Sequence, residues 1–240
     1  MNPHAAGGHD EPAAATQTLP LDDPAAQALA LALLADEQIV VAPTDTVYGV
    51  MCRYDSPAAI ARLYVAKDRP PQKAIPVLIG DPAQLGALVQ MPLPPAARAL
   101  IDALWPGALT LVLAAQPHLP AILTAGQPTV AVRMPDHAGL RALIRRSGPL
   151  AATSANRSGG PDTRSVAEAL AQLAGRVPLI LADPAPPPGA PPATQPSTIV
   201  DLSDPAQPRL LRAGALAGAV RAALAQVGLR LDTPTHVDRR

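Results

Sequence analysis

Ile39-Val40-Val41-Ala42-Pro43-Thr44-Asp45-Thr46-Val47-Tyr48-Gly49 carries a short β-branched run into a polar turn. Such a run, bounded by turn residues, predicts a strand buried on both faces. Leu150-Ala151-Ala152-Thr153 repeats the arrangement, feeding Ser154-Ala155-Asn156 and then Ser158-Gly159-Gly160-Pro161. About twenty residues beyond the first turn stands Lys67-Asp68-Arg69. Strands that end in such residues deliver hydroxyls, a carboxamide and a glycine turn to the edge of a sheet. With two fixed cations beside them, they suit an anionic substrate, and a phosphate ester fits best.

The flanking segments give the fold class. Asp22 or Asp23 caps a helix from Pro24, since proline is tolerated at the first helical position. Ser56-Pro57 opens a second helix, with Ile60, Leu63, Tyr64 and Ala66 at core-facing spacings and Lys67 at its end. Residues 75–79 read as a strand, with Pro76 marking an edge or an irregular start. Helices follow over 82–90 and 94–104, the second stopped by Trp105-Pro106-Gly107. Strands are predicted at 109–114 and 129–133, then a helix over 136–147 with Gly148 as its stop. A helix at 165–174, strands at 178–182, 198–202 and 209–212, and a helix at 214–227 complete the chain. Strands and helices mix without strict βαβ alternation, so the class is α+β (mixed α/β), a mixed sheet flanked by helices. Residues 1–20 are expected to be a disordered tail, 21–228 one domain and 229–240 a C-terminal tail.

Composition narrows the function. At 240 residues and 48% hydrophobic content the chain can bury a proper core, which Leu, Val, Ile and Ala must build because there is no Phe. Nineteen basic residues balance nineteen acidic ones, so the basic excess of a general nucleic-acid binder is missing. Arg141, Arg145 and Arg146 share one predicted helix and read as a solvated face. The single cysteine, Cys52, leaves no intramolecular disulfide or cysteine metal site, and the five histidines form no ligand-spaced pair, so no metal residues are assigned. There is no secretory start, and the longest apolar stretch, 28–35, is too short to cross a bilayer, so a cytosolic protein without a membrane partner is expected. GxxxxGK[ST], GxGxxG and GxSxG are all absent, against a Walker ATPase, a dinucleotide-binding dehydrogenase and a serine hydrolase.

Taken singly, each polar cluster has an ordinary explanation. Thr44-Asp45-Thr46 suits a turn, Lys67 and Arg69 suit a helix C-terminus, and Ser154 and Asn156 suit caps. Their joint order says more. PTDTVYGV, KDRPPQK, WPGALTLVL, TVAVRMPDH, LAATSANRSGG, PSTIVDL and LLRAGAL follow one another between about residues 25 and 225. This series resembles the YrdC/TsaC family of L-threonylcarbamoyladenylate synthases.

The resemblance implies a YrdC/RibB-like fold, a twisted mixed sheet around a positively charged cavity. It also implies that L-threonine, bicarbonate (or CO2) and ATP become threonylcarbamoyl-AMP and pyrophosphate. Downstream threonylcarbamoyl-transfer proteins then modify an adenosine of tRNA, and tRNA itself is a further candidate partner. The family's KxR and SxN elements match Lys67, Arg69, Ser154 and Asn156, implied to be a catalytic tetrad. Arg69, Ser154, Thr129 and Arg212 match ATP-contacting positions, and Lys73 stands where a longer branch has an ATP-contacting Asn. Thr46, Ser197, Arg133 and Ala152 match positions around L-threonine, with Arg133 on its carboxylate and Ala152 acting through its backbone. Mg²⁺ is expected with the triphosphate rather than in a carboxylate cage.

The chain departs from the longer branch where Leu78 replaces a threonine-contacting His and Asp162 replaces a serine downstream of SxN. An additional C-terminal domain is not expected. The proline-rich stretch 184–196 reads equally as a semi-rigid lid or a passive linker. Two rival functions stay open here: a non-catalytic RNA- or tRNA-binding module using the same cavity, and carbamoyl-adenylate chemistry with carbamoyl phosphate.

Overall fold

The computed structural model describes residues 15–70, 72–183 and 195–232. Its strands are β1 (Gln17–Pro20), β2 (Val40–Ala42), β3 (Gly49–Arg53), β4 (Val77–Leu78), β5 (Leu109–Ala114), β6 (Thr129–Arg133), β7 (Leu150–Ser154), β8 (Leu179–Ala182), β9 (Thr198–Asp201) and β10 (Arg209–Arg212). The α-helices are α1 (Pro24–Ala35), α2 (Pro57–Lys67), α3 (Pro95–Leu104), α4 (Ala121–Thr124), α5 (Ala138–Ser147), α6 (Val166–Leu173) and α7 (Ala217–Gln226). The ten strands of the described residues form one sheet in the order β1-β8-β2-β3-β7-β4-β6-β5-β9-β10, and it is mixed, as the sequence pattern predicts; β1 and β3 are strands that the pattern does not predict.

Strand alternation divides the interior into two cores. Val41, Val50 and Cys52 turn to the larger core, which is filled from α2, α3, α6 and α7 by residues such as Leu63, Leu100, Leu173 and Leu224. Val40, Ala42 and Met51 turn the other way, against Ala30 and Leu34 of α1 and Leu140 and Ile144 of α5. That second core reaches only as far across the sheet as β4. On β6, β5 and β9, Val130, Val132, Leu109, Leu111 and Val200 face the larger core. Their neighbours Thr129, Arg133, Thr110 and Ile199 therefore face the side that α1 and α5 leave open. The functional surface is this uncovered half-face.

Several boundaries differ from expectation. Residues 17–20 are not part of a disordered tail: they form β1, parallel to β8, with Gln17 N donating to Pro178 O at 2.9 Å and Leu21 N to Ala182 O at 2.8 Å. At the other end, residues 229–232 pack on the sheet, and Asp232 exchanges backbone bonds with Pro208 and Leu210 at 2.8 Å. Expected residues 1–14 of the N-terminal tail, 233–240 of the C-terminal tail and 184–194 of the proline-rich stretch lie outside the described residues. The helix expected over 82–90 is a 3-10 helix over Pro82–Ala87, and the 75–79 strand shortens to β4. Ile75 N is drawn instead to Leu123 O at 2.9 Å, and Pro76 has no N–H for a ladder bond.

Candidate active site

The first turn is organised by one hydroxyl. Thr44 Oγ1 donates to Val47 O at 2.7 Å and accepts from Thr46 N at 3.0 Å and Val47 N at 3.1 Å, closing the loop between β2 and β3. This turns Thr46, only 5% exposed, toward Arg133 at the end of β6. Arg133 is 7% exposed, and each nitrogen has a partner: Nε donates to Gly107 O at 3.0 Å, Nη1 to Thr46 Oγ1 at 2.9 Å and Nη2 to Asp45 Oδ1 at 2.6 Å. The Trp105-Pro106-Gly107 turn, read from sequence as structural, thus also holds a site residue. Opposite, Arg212 at the end of β10 donates to Ser197 O at 2.8 Å and Ser197 Oγ at 2.9 Å, and Ser197 Oγ is hydrogen-bonded to Thr110 Oγ1 at 2.8 Å. Loss of hydration and then repulsion from Arg133 lower the Arg212 pKa, placing two cations in one field.

A cavity of about 230 Å³ lies between these groups, walled by Thr46, Arg133, Ala152, Ser154, Ser197 and Arg212 among others. The structure thus brings together six of the residues singled out in the sequence. Lys67 and Asn156 stand directly behind Ser154. Lys67, at the C-terminus of α2 and 2% exposed, donates from Nζ to the carbonyls of Ser154 and Asn156, while its own carbonyl accepts from Ser158 N at 2.8 Å. Burial first, and then Arg69 nearby, push the Lys67 pKa down to about 8. Ser154 Oγ donates to Asn156 Oδ1, and Asn156 Nδ2 ties off the loop on Gly160 O at 2.7 Å. Asp68 bonds Arg157 at 2.5 Å and Arg176 at 3.1 Å, clamping the same loop to α2, and those bonds hold its carboxyl below the ordinary value.

Other sequence candidates lie farther out. Arg69 folds back on Lys73 O at 3.3 Å and Ala74 O at 2.9 Å, and desolvation lowers its pKa. Lys73 is exposed and not on the cavity wall. Thr129 shares the open face with Arg133, four residues along β6, but lies beyond the lining residues. Sequence reasoning missed Asp45, taken for a turn former, along with Thr110, while Asp162, read as a departure from the longer branch, lines the cavity. Asp162 is the one acidic group among the described lining residues, and its charge partly offsets the fall in the pKa values of Lys67 and Arg212. A larger hollow of about 670 Å³ lies on the far side of the 157–162 loop, and Asp162 borders both. The larger hollow carries the paired charges Asp68 and Arg157 rather than the arginine–hydroxyl set. No group of three or more metal-binding side chains occurs among the described residues.

Two arginines and a set of hydroxyls thus line one cavity on the open face of the mixed sheet of an α+β domain. The Sua5_yciO_yrdC family (Telomere recombination) matches residues 32–214, and the chain belongs to it. It is 43% identical over 164 residues, 68% of this chain, to threonylcarbamoyl-AMP synthase of Bacillus subtilis (strain 168), of whose length it spans 47%. Against a putative threonylcarbamoyl-AMP synthase of Mycobacterium leprae the identity is 42%, covering 78% of this chain and 82% of the relative. The crystal structure of P. abyssi Sua5 complexed with L-threonine superposes with a TM-score of 0.80 at 30% identity, over 90% of this chain and 63% of that one.

Proposed function

We propose that the chain is an L-threonylcarbamoyladenylate synthase, joining L-threonine, bicarbonate and ATP into threonylcarbamoyl-AMP and pyrophosphate. The observation that carries the reading is the convergence of Arg133, Thr46, Ser197, Arg212 and Ser154 on one cavity of about 230 Å³. Its relatives' names point the same way. The cavity is smaller than the ~300–1,000 Å³ of a typical ligand pocket. It suits the amino acid and the reacting phosphate, with the rest of the nucleotide laid across the open sheet toward Thr129 and Arg69.

In this reading Arg133 grips the threonine carboxylate, while Thr46, Ser197 and the backbone of Ala152 orient the amine and side chain. The amine captures carbon dioxide as a carbamate, whose oxygen attacks the α-phosphorus as pyrophosphate leaves. Such transfer needs positioned charge rather than a covalent nucleophile. Arg212 and Arg69 supply it beside Ser154, and Lys67 with Asn156 holds the Ser154 loop in place. Asp162 alone cannot cage a metal, so the residues fit Mg²⁺ carried in on the phosphates, where it neutralises oxygen charge. Lys73 and Thr129, both off the cavity wall, are the least supported ATP contacts. Transfer proteins and tRNA act downstream of the adenylate, and the enzyme works in the cytoplasm. Among the described residues no helix is long and apolar enough to cross a membrane.

Incubation of the purified chain with ATP, Mg²⁺, bicarbonate and each amino acid in turn tests this reading. Threonine-dependent release of pyrophosphate and formation of the adenylate is the expected result. RNA binding with no adenylate from any amino acid would overturn it.

A further inference from the structure

We propose that Asp45 is a positioning residue for the amino-acid carboxylate, acting through Arg133; the inference rests on the synthase reading and extends it. The Asp45–Arg133 pair joins a partly buried carboxylate, 16% exposed, to a buried guanidinium, 8% exposed, at 2.6 Å. An acid this close to the group that must bind an acid is a puzzle unless it does something for that group. Its charge opposes a second carboxylate, and burying it has a cost that only the bond to arginine offsets.

The proton inventory resolves the puzzle. A guanidinium has five N–H groups in a rigid plane. Arg133 commits three of them, one per nitrogen, to Gly107 O, Thr46 Oγ1 and Asp45 Oδ1. One N–H on each terminal nitrogen is left, the pair that a carboxylate needs for a two-pronged grip. Gly107 alone would leave the plane free to rotate about its last torsions. Asp45 supplies the one bond of the three in which both partners are charged, and it fixes which edge of the plane faces the cavity.

The same inventory bears on Thr46. The Thr44 hydroxyl spends its proton on Val47 O and its two lone pairs on the amides of Thr46 and Val47. Thr46 Oγ1 accepts from Arg133 Nη1, which leaves it a proton and a lone pair for a substrate. The Thr44-Asp45-Thr46 turn thus presents a hydroxyl beside a two-donor edge, which matches an amino acid's backbone end. Arg212, whose Nε and Nη2 bond Ser197 rather than an acid, is left for phosphate oxygen.

Asp45→Ala, Asp45→Asn and the wild type separate this role from simple structural support. Losing a charge-assisted bond is worth roughly 10–100-fold in binding. Asp45→Ala is expected to raise the KM for threonine by at least ~10-fold while kcat and the KM for ATP stay within about threefold. Asp45→Asn keeps an oxygen in place to accept from Nη2, so it is expected to restore threonine KM to within about threefold of wild type. An unchanged threonine KM in Asp45→Ala, an equal rise in both KM values, or failure of Asp45→Asn to rescue would each overturn the proposal. Calorimetric titration with threonine alone keeps the two readings apart. Threonine binding by wild type and not by Asp45→Ala supports the proposal, and equal binding by both overturns it while sparing the synthase reading. No binding by the wild type brings down the synthase reading as well.

Discussion

Lys67 is the residue at which stability and activity pull in opposite directions. Its Nζ is buried on two carbonyls, and burial is the first cause of its fall from the ordinary 10.5 to about 8. In the unfolded chain the group holds its proton up to 10.5, so between pH 8 and 10.5 the folded state binds fewer protons. Stability from this group therefore rises across that window. The ammonium that props the Ser154 loop is lost over the same window. The expected kcat/KM profile for ATP falls with a basic limb near pH 8 while urea midpoints measured in parallel do not fall with it. A flat profile to pH 9.5 would detach Lys67 from the chemistry. Lys67→Ala and Arg69→Ala are expected to cut turnover by at least ~100-fold, the scale of losing one charge stabiliser. Asp162 works against the same cations. Its carboxylate lines the cavity and opposes the phosphates, so Asp162→Ser should lower the KM for ATP by about threefold to tenfold, more at low salt than at high. A KM that rises instead would mean that Asp162 contributes to holding the nucleotide, for instance through its metal.

At the scale of elements, the site depends on two close approaches of backbone. A Cβ on Gly214, after β10, would meet Pro196 O at 2.6 Å and Thr198 N at 2.7 Å. Those atoms flank Ser197, so Gly214→Ala must push β9 away from β10 and carry the Ser197–Arg212 contact with it. Turnover is expected to fall at least ~10-fold, since small misplacements in a site cost that much. Turnover within twofold of wild type would show that β9 yields without moving Ser197. The elements most legible in the sequence were those with their own signal. The caps at Asp23 and Ser56 and the runs that became β2, β5, β7 and β9 were read close to where they stand. Strands stabilised only by their neighbours were not. In β3, Val50 and Cys52 serve one core and Met51 the other, so Gly-Val-Met-Cys-Arg shows no alternation to read. The residues of β1 are mostly exposed and end in proline, and only the parallel ladder to β8 makes them a strand. The site followed the same rule. Ser154, Asn156 and Lys67 stand out by type and order and Arg133 through the family resemblance, whereas the role proposed for Asp45 depends on an arginine 88 positions away.

Across the whole molecule, the continuous sheet joins both cores and makes Cys52 a probe of the entire fold. Its strand, β3, lies between β2 and β7 in the interior of the sheet, and the thiol is fully buried. Burial pushes its pKa up to about 12, so the native thiol is unreactive on two counts, access and ionisation. A fluctuation that exposes it must separate strands belonging to both cores, which ties labelling to global opening rather than local fraying. Since Cys52 is the chain's one cysteine, a single readout follows. The native protein should leave a thiol reagent unconsumed, and urea should release one equivalent along the same curve as loss of circular dichroism. Ligands that bind only the folded state scale that opening by mass action, so threonine at ~100 times its Kd should slow labelling about 100-fold. ATP should do the same independently, and Arg133→Ala should abolish the threonine effect while sparing the ATP effect. Labelling at a rate indifferent to urea and to both ligands would show that β3 opens by itself, and that the two faces of the sheet do not unfold as one.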